Sequence, residues 1–356
     1  MPAAICERRR GDSSFLVCSG GSEDTAAACY NRDFAKKYSQ WSLVHFTDVV
    51  CIPIEGIRIM PTALNTSLVE VRRVNGTLAV RTHDSVAIED PLEIQIGQDR
   101  KGIRTIRSVS VTMRTPGHDD ELAIGFLFGE GILNQRSDVA QIEFPTVEGE
   151  KSANYVRIQL RAGVTVDLKQ LDRNFYTTSS CGVCGKASLE AVRKMARGPR
   201  PGGGEGFRVP AVTIHQMPGR LRESQEIFEQ TGGLHAAALF DRAGDLCLVR
   251  EDVGRHNAVD KVMGAKWLED RIPVKDRILF VSGRASFELV QKAVQAGIPI
   301  LAAVGAPSSL AIELAEASGM TLLGFVRDGR FNIYSADYRI LRSESMRPGG
   351  EEMIPL

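Results

Sequence analysis

The chain has 356 residues, 43% of them hydrophobic, and its 44 basic and 44 acidic side chains give a formal net charge of zero. This length and apolar content allow one large core or two smaller ones. The balanced charge excludes a global field that would hold the protein on nucleic acid or on an anionic membrane. Neither a bilayer-spanning apolar run nor a secretory signal pattern is found, so we expect a soluble, cytoplasmic protein.

The first 59 residues differ from the rest of the chain. They contain four of the seven cysteines, at positions 6, 18, 29 and 51, and show no sustained periodicity. No pair of these four has CxxC spacing, so an ordinary role is favoured over a redox or metal site. We predict a poorly ordered extension over residues 1–59. The scattered, odd-numbered set of cysteines indicates a reducing compartment.

Folded structure is predicted to begin at Met60. Strand-like segments at residues 68–74 and 77–82 flank Asn75-Gly76, which is a strong hairpin signal. A strand at residues 105–115 leads through Pro116-Gly117 into an amphipathic helix at residues 119–127, whose acidic first turn suits a helix N-terminus. A pair of strands spans residues 141–160. Together these elements predict a smaller N-terminal α+β domain over residues 60–170.

Two cysteines are spaced as CxxC in the segment YTTSSCGVCGKASLE, residues 176–190. The pattern places Cys181 and Cys184 at the start of a helix that continues through Lys194. A thiolate at this position faces unpaired backbone N–H groups and the positive end of the helix dipole, with Lys186 one turn further on. We therefore expect a thiol with a lowered pKa and a reactive sulfur.

The segment RGPRPGGGEG, residues 197–206, is predicted to be a loop, and strands then alternate with helices. Strands are predicted at residues 235–240, 246–249, 277–281, 298–304 and 321–326, and helices at residues 255–267, 286–296 and 308–317. This order indicates α/β layering with a mostly parallel sheet.

Two strand-to-helix loops in this region suit an anion. The first contains Ser282, Gly283 and Arg284, where glycine permits close approach and the guanidinium offers a bidentate fork. The second, residues 305–309, supplies hydroxyl groups. Loops at the carboxyl edge of a parallel sheet collect ligands, although each loop alone also fits ordinary helix capping. Neither loop matches a Walker motif or GxGxxG, so nucleotide hydrolysis and NAD binding have little support.

Two of the six histidines lie in unusual surroundings. His235 follows a Gly-Gly pair, and Arg255 and His256 lie in the polar cluster EDVGRHN, residues 251–257. This cluster at a strand–helix junction exceeds what capping requires, so a functional role is slightly favoured. His45, His83 and His215 are interpreted as ordinary core or surface residues.

Zinc is a rival use of the CxxC, because two thiolates provide half of a tetrahedral site. No second pair is present, so His235, His256 or Cys247 would have to converge from a distance. A zinc-dependent nucleobase deaminase also needs HxE and a proline before the CxxC. No histidine here has glutamate two residues later, and Ser180 precedes the CxxC. A thioredoxin-like dithiol ranks third, because the CxxC lies too late in the chain.

Four segments give the chain a specific resemblance to a known family. They are MRTPGHDDELAIGFLFGEGIL from Met113, TTSSCGVCGKASLE from Thr177, GGLHAAALFDRAGDLCLVREDVGRHNAVDKV from Gly232, and FVSGRASFELVQKAVQAGIPILAAVGAPSSLAIELA from Phe280. From Met60 onward the chain resembles the FdhD family of formate dehydrogenase accessory sulfurtransferases. The resemblance implies that a cysteine desulfurase donates sulfane sulfur, which a CxxC persulfide passes to the molybdenum (or tungsten) bis(molybdopterin guanine dinucleotide) cofactor. The sulfurated cofactor then activates formate dehydrogenase.

The resemblance also implies a fold and a set of site residues. The fold is a cytidine-deaminase-like mixed or parallel sheet domain over residues 171–356, behind the smaller α+β domain, in a homodimer. Cys181 matches the persulfide position, and Cys184 would assist release or resolve the persulfide. The cofactor-binding segment matches Phe325, Val326, Arg327, Asp328, Gly329 and Arg330, to which Ser282, Gly283, Arg284, His235, Arg255 and His256 are added. Arginines suit the phosphates of a dinucleotide, and no metal of the protein's own is expected.

Residues 1–59 depart from the family pattern, which suggests a misassigned start codon. Two other functions stay open at this point. The first is a non-catalytic scaffold that binds the cofactor and docks the dehydrogenase, and the second is a zinc-binding, deaminase-like protein. The scaffold differs from a sulfur carrier in one respect, because it should tolerate Cys181→Ala.

Overall fold

The computed structural model describes residues 65–100, 102–147, 150–151, 154–164, 166, 206–327 and 329–341. They belong to one compact unit, Met60–Leu356. Several predictions lie outside the described residues: the extension over residues 1–59, the CxxC with its helix, and all of the glycine-rich loop except Gly206. None of the helices among the described residues could span a lipid bilayer.

The predicted hairpin is confirmed and is longer than expected. Strand β1 (Thr66–Asn75) pairs antiparallel with β2 (Leu78–Ala87), and Asn75 lies opposite Leu78. Gly76 occupies the turn with φ of 60°, a backbone conformation that glycine adopts without steric cost. The turn sequence therefore sets the register of the hairpin.

A four-stranded sheet follows, with the order β4-β3-β8-β5. Its elements are β3 (Asp90–Arg100), β4 (Ile103–Arg114), helix α1 (Asp119–Gly129), β5 (Val139–Glu143), the short pair β6 (Thr146–Val147) and β7 (Glu150–Lys151), and β8 (Tyr155–Leu160). The predicted strand, helix and strand pair are confirmed, but β3 was missed. The alternation of Leu92, Ile94 and Ile96, all fully buried, is the signal that identifies it.

The second half of the chain forms a six-stranded sheet with the order β11-β10-β12-β13-β14-β15. The elements of this half of the chain are β9 (Val209–Pro210), α2 (Ala211–Glu223), α3 (Glu226–Thr231), β10 (His235–Phe240), β11 (Leu246–Asp252), α4 (Arg255–Leu268), β12 (Ile278–Val281), α5 (Phe287–Gln295), β13 (Ile300–Ala303), α6 (Ser309–Ser318), β14 (Thr321–Arg327), β15 (Arg330–Ser335) and β16 (Ile340–Leu341). Strands β9 and β16 lie outside the large sheet and pair parallel with each other.

The prediction of a mostly parallel sheet was wrong, because the sheet is mixed. Strands β12, β13 and β14 run parallel, but β10, β11 and β15 each pair antiparallel with their neighbours. The tight turn between β10 and β11 is held by Asp241, whose carboxylate accepts from the N–H groups of Ala243 and Asp245. A turn this short allows a hairpin but not a parallel crossover. Helices α2 and α3 were not predicted, since Pro218 and Gly219 interrupt the helical pattern of α2.

Two buried clusters lie on opposite faces of the large sheet. On one face, Leu279 and Val281 of β12 pack with α1, α4, α5 and the four-stranded sheet. On the other face, Ile278 and Phe280 pack against α2. Successive side chains of β12 therefore point into the two buried clusters in turn, because side chains along a strand alternate between the two faces of the sheet. In the loops that follow β12 and β13, Ser282, Gly283 and Gly305 are only partly buried.

Candidate functional site

The two loops that the sequence predicted to suit an anion lie side by side at the carboxyl ends of the central strands β12 and β13. We call this end of the strands the edge of the large sheet. Because β12 and β13 are parallel neighbours, their loops leave the sheet at the same end. Backbone pairing continues beyond the strands: Gly305 N–H donates to the Gly283 carbonyl at 3.0 Å, and Ser308 N–H donates to the Ala285 carbonyl at 3.1 Å. The two loops therefore form one continuous surface.

His235 reaches the same edge from the antiparallel strand β10. Ala236 N–H donates to Ser282 Oγ at 2.9 Å, and Ser282 N–H donates to the Ala236 carbonyl at 3.0 Å. The Ser282 hydroxyl therefore ties the start of β10 to the end of β12. This contact places His235 next to the loop that contains Gly283.

Gly283 is the point where the candidate residues meet. A Cβ built at Gly283 would lie 3.4 Å from His235 Nδ1 and 3.7 Å from Arg255 Cδ. Burial lowers the pKa of His235, and the positive charges of Arg255 and His256 lower it further. The lowered pKa favours the neutral form of the His235 imidazole.

His256 has a carboxylate partner that the sequence analysis missed. Its Nε2 lies 2.7 Å from Glu288 Oε2 and 3.3 Å from Ser286 Oγ. Ser286 precedes α5 but makes no side-chain cap, whereas Ser308 accepts from Ala311 N–H and caps α6. The capping interpretation is thus confirmed for Ser308, and Ser286 faces the site instead. Glu288 lies in the first turn of α5, two residues after Ser286. This closeness in sequence to the loop is the signal that could have identified Glu288.

A buried network supports the loop that carries Arg255 and His256. Asp252 is fully buried, and its carboxylate lies 2.8 Å from Lys261 Nζ and accepts from Asn257 Nδ2 at 2.9 Å. The same carboxylate accepts from the N–H groups of Gly254 and Thr115. Part of the polar cluster at residues 251–257 is therefore structural, because it fixes the start of α4 against the end of β4.

The segment from Phe325 to Arg330 runs from the last residues of β14 to the first residue of β15. Phe325 N–H donates to the Gly305 carbonyl at 3.2 Å, which brings the segment beside the second loop. Arg327 and Arg330 are exposed and lie opposite each other across the turn. Gly329 has φ of 77° and is exposed, and Asp328 lies outside the described residues. Val326 is fully buried in the second core, so its backbone alone can face a ligand.

Phe325 is strained as well as exposed. Its φ is 53°, a value that bulky residues rarely adopt, and 38% of the residue is exposed. Such outliers persist where surrounding structure imposes them, and they cluster at ligand sites. Arg284 lies directly against Gly305, since a Cβ there would be 3.0 Å from Arg284 Cα.

The structure thus brings together most of the predicted binding residues at one edge, namely His235, Ser282, Gly283, Arg284, Arg255, His256 and the turn after Phe325. Cys181 and Cys184 lie outside the described residues. Cys247 is described and is exposed on β11. Within the described part of the chain, no group of three or more His, Cys, Asp or Glu side chains is arranged to hold a metal ion.

These features describe a mixed α/β protein with a glycine-lined candidate site at a sheet edge, to which Arg255 and Arg284 contribute positive charge. A model of the FdhD/NarQ family matches residues 87–341, and the chain belongs to the FdhD/NarQ family. The chain is 50% identical over 278 residues to "Sulfur carrier protein FdhD" of Mycolicibacterium paratuberculosis, covering 77% of this chain and 98% of the relative. It is 41% identical over 268 residues to the protein of that name from Saccharolobus solfataricus, covering 75% and 95%.

A solved structure shares the fold. The crystal structure of a formate dehydrogenase accessory protein from Desulfotalea psychrophila superposes with a TM-score of 0.58 and 24% identity, over 78% of this chain and 99% of that chain. This likeness shows the arrangement of helices and sheets.

Proposed function

We propose that this protein is a sulfur carrier that accepts sulfane sulfur from a cysteine desulfurase as a persulfide on Cys181. It then delivers the sulfur to the molybdenum bis(molybdopterin guanine dinucleotide) cofactor of formate dehydrogenase. The observation that carries the proposal is family membership, with relatives named as sulfur carriers at 50% and 41% identity across nearly their whole length. The cationic edge of the large sheet supports it, because the cofactor is an anionic dinucleotide.

The sulfur chemistry needs a thiolate. The Cys181 thiolate attacks the outer sulfur of the desulfurase persulfide, a new S–S bond forms on Cys181, and the desulfurase thiolate leaves. Attack of the Cys184 thiolate on the inner sulfur would then form a disulfide and release the outer sulfur as hydrosulfide to the metal. A thiol reductant restores the pair, so the chemistry suits a reducing compartment such as the cytoplasm.

The cofactor is the substrate, and the residues at the sheet edge fit its charge. The guanidinium groups of Arg255, Arg284 and Arg327 would contact its phosphates, because planar guanidinium groups bind phosphate oxygens in bidentate fashion. Gly283 and Gly305 allow these side chains to pack closely, because a Cβ at Gly283 would lie 3.4 Å from His235 Nδ1 and one at Gly305 would lie 3.0 Å from Arg284 Cα. Formate dehydrogenase and a cysteine desulfurase are the proposed protein partners, and we propose that the protein acts as a homodimer.

We further propose that residues 171–356 form a cytidine-deaminase-like domain in which sulfur chemistry at the CxxC replaces zinc chemistry. The absence of any HxE in the sequence supports this, since the deaminase reaction depends on that glutamate.

The relay is tested by incubating the purified protein with a cysteine desulfurase and radiolabelled cysteine, followed by non-reducing gels. We expect a reductant-labile label that Cys181→Ala abolishes and that Cys247→Ala retains. Cys247 is the matched control because it is an exposed free thiol outside the CxxC. Undiminished label in both Cys181→Ala and Cys184→Ala, or no label on the wild type, would refute the persulfide relay. The remaining function would then be that of a cofactor-binding scaffold.

A further inference from the structure

The hairpin of β1 and β2, residues 66–87, lies apart from the two larger sheets, and we call it the arm. Among the described residues its strands pair only with each other, and the arm packs on helix α3. An isolated two-stranded hairpin is marginally stable in water. The family model matches from residue 87 onward, so the arm precedes the matched segment. Neither the sulfur relay nor the candidate site accounts for it.

The tip of the arm exposes apolar side chains on both of its faces. Val74 is 64% exposed, Leu78 is 74% exposed and Val80 is 58% exposed. Side chains alternate between the two faces of a hairpin, so Val74 points to one face and Leu78 and Val80 point to the other. Single exposed apolar residues are common on protein surfaces, but a cluster of them indicates an interaction site. The tip therefore suits an apolar groove on another molecule.

Arginines give the same part of the arm a positive charge. Arg72 lies directly opposite Arg81, on the face that also carries Val74. Like charges at opposite positions destabilise a hairpin. The Glu70 carboxylate lies 3.6 Å from Arg81 and offsets one of these charges, whereas Arg73 adds a third guanidinium on the other face. A partner that offers carboxylates would balance the excess charge.

The arm lies beside the candidate site, with α3 between them. Thr66 at the base of the arm and Glu251 line one cavity of about 410 Å³. The Glu251 carboxylate accepts from the N–H groups of Ile227 and Phe228 in α3. Phe228 lines a second cavity, of about 520 Å³, together with His235 at the edge of the large sheet. A protein bound to the arm would therefore also lie close to that edge.

We propose that the arm is the docking element for formate dehydrogenase, which would receive the tip in an apolar groove bordered by carboxylates. The inference rests on the proposed function, in which the dehydrogenase receives its cofactor from the edge beside the arm. Apolar contact at the tip would supply most of the affinity, and the guanidinium groups would orient the enzyme and speed association. An anionic membrane is less favoured, because such surfaces are recognised by clusters of about four to eight basic residues, and the arm has three.

The test is the affinity of the full-length protein for purified formate dehydrogenase from the same organism, measured by biolayer interferometry. Arg81→Gln and Val80→Thr should each weaken binding by about tenfold. Threonine keeps the shape and strand preference of valine, so the arm should persist in the second variant. Thermal melting of each variant checks that it is folded.

Two control variants match these substitutions in exposure and surroundings. Arg271→Gln is the control for charge, because the side chains of Arg271 and Arg81 are both 71% exposed and each lies beside a glutamate. Val111→Thr is the control for apolar contact, because Val111 is 59% exposed on β4. Both control variants should bind the dehydrogenase as the wild type does.

Unchanged affinity in both arm variants, an equal loss in the controls, or no binding by the wild type would overturn the proposal. Sedimentation velocity and flotation with phosphatidylglycerol vesicles test the other occupants. A wild-type dimer that Val80→Thr dissociates would assign the arm to a second copy of the chain, and vesicle binding that Arg81→Gln abolishes would assign it to a membrane. Either result would also overturn the proposal. The relay is measured separately, as persulfide on Cys181, which the arm variants should retain.

Discussion

Gly125 of α1 and Gly264 of α4 occupy reciprocal positions where the two helices cross. A Cβ at Gly125 would overlap the backbone carbonyl of Asp260, and a Cβ at Gly264 would overlap the backbone carbonyl of Glu121. The two helix backbones therefore touch. This contact joins the four-stranded sheet, which packs on α1, to the helix that begins at Arg255.

Gly125→Ala should destabilise the protein strongly, because the added methyl group meets backbone that cannot rotate away. We expect a loss of about 3 kcal/mol or more, measured by urea unfolding. Gly219→Ala is the control, since Gly219 lies inside α2 and an added Cβ would meet no atom within 4 Å. That variant should gain up to about 1 kcal/mol from helix propensity. Equal stability of Gly125→Ala and the wild type would contradict the described crossing.

The buried pair of Asp260 and Lys292 should be more costly to break than any surface pair. Lys292 Nζ lies 2.6 Å from Asp260 Oδ1, and both side chains are over 90% buried. Burial raises the pKa of Asp260 to about 6, although the attraction of Lys292 opposes the rise. Asp260→Asn should cost about 3–5 kcal/mol, because it leaves a buried ammonium without its counter-charge.

The control for this pair is Glu269→Gln, which breaks the contact of Glu269 with Lys266 at 2.8 Å on the surface. It should change stability by no more than about 1 kcal/mol. If the two variants melted at the same temperature, Asp260 and Lys292 would not form the buried pair described.

Stability should fall in acid through Glu121. Burial alone would raise the pKa of this carboxyl group, but Arg250 and His118 outweigh burial and lower it from 4.5 to about 2. The folded state therefore holds its proton more weakly than the unfolded state. The resulting stabilisation, roughly 3 kcal/mol, is complete above the unfolded pKa and is lost as the pH falls toward 2.

The measurement is the free energy of unfolding at pH 7, 4 and 3 for the wild type and Glu121→Gln. The variant should be less stable at pH 7 and should lose less on acidification, because it has no carboxyl group to protonate at this position. Parallel curves for the two proteins would show that Glu121 does not contribute to the acid response.

Relief of strain at Phe325 should separate stability from binding. Asparagine tolerates positive φ better than phenylalanine does, so Phe325→Asn should stabilise the fold by about 1 kcal/mol. It should also weaken binding of GDP, a fragment of the proposed dinucleotide cofactor, as measured by titration calorimetry. Ala336→Asn is the matched control, because Ala336 has φ of 48° outside the site. It should stabilise the protein and leave GDP affinity unchanged. Tight GDP binding by Phe325→Asn would remove Phe325 from the site.

Much of the architecture followed from periodicity and turn residues. The hairpin at Gly76 and the start of α4 at Arg255 were predicted because local signals agree there with the tertiary structure. Helix α2 was missed because Pro218 and Gly219 disfavour it locally, and packing of Ile214, Met217 and Leu221 against the large sheet outweighs that preference. Strand direction was also missed, since pairing partners depend on connections far apart in the sequence.

The candidate site also includes residues that the sequence predicted and contacts that it could not show. Loop chemistry predicted Gly283, Arg284 and His256 as candidate site residues, and the structure places them at the same edge of the large sheet. The sequence could not show that Gln225, His235 and Ser282 line one cavity, since this depends on how α2 and α3 fold back over the sheet. Nor could spacing show that the hydroxyl of Ser282 ties β10 to β12.

The backbone pairing that extends past β12 and β13 has a thermodynamic consequence. The carbonyls of Gly283 and Ala285 are each bonded to the neighbouring loop, and the Gly305 carbonyl is bonded to Phe325 N–H. Loops tied in this way lose little freedom when a ligand arrives, so little of the interaction energy is consumed by ordering them. The conformational entropy of these loops is lost when the protein folds, so an anion that binds at this edge would meet a receptor that is already ordered.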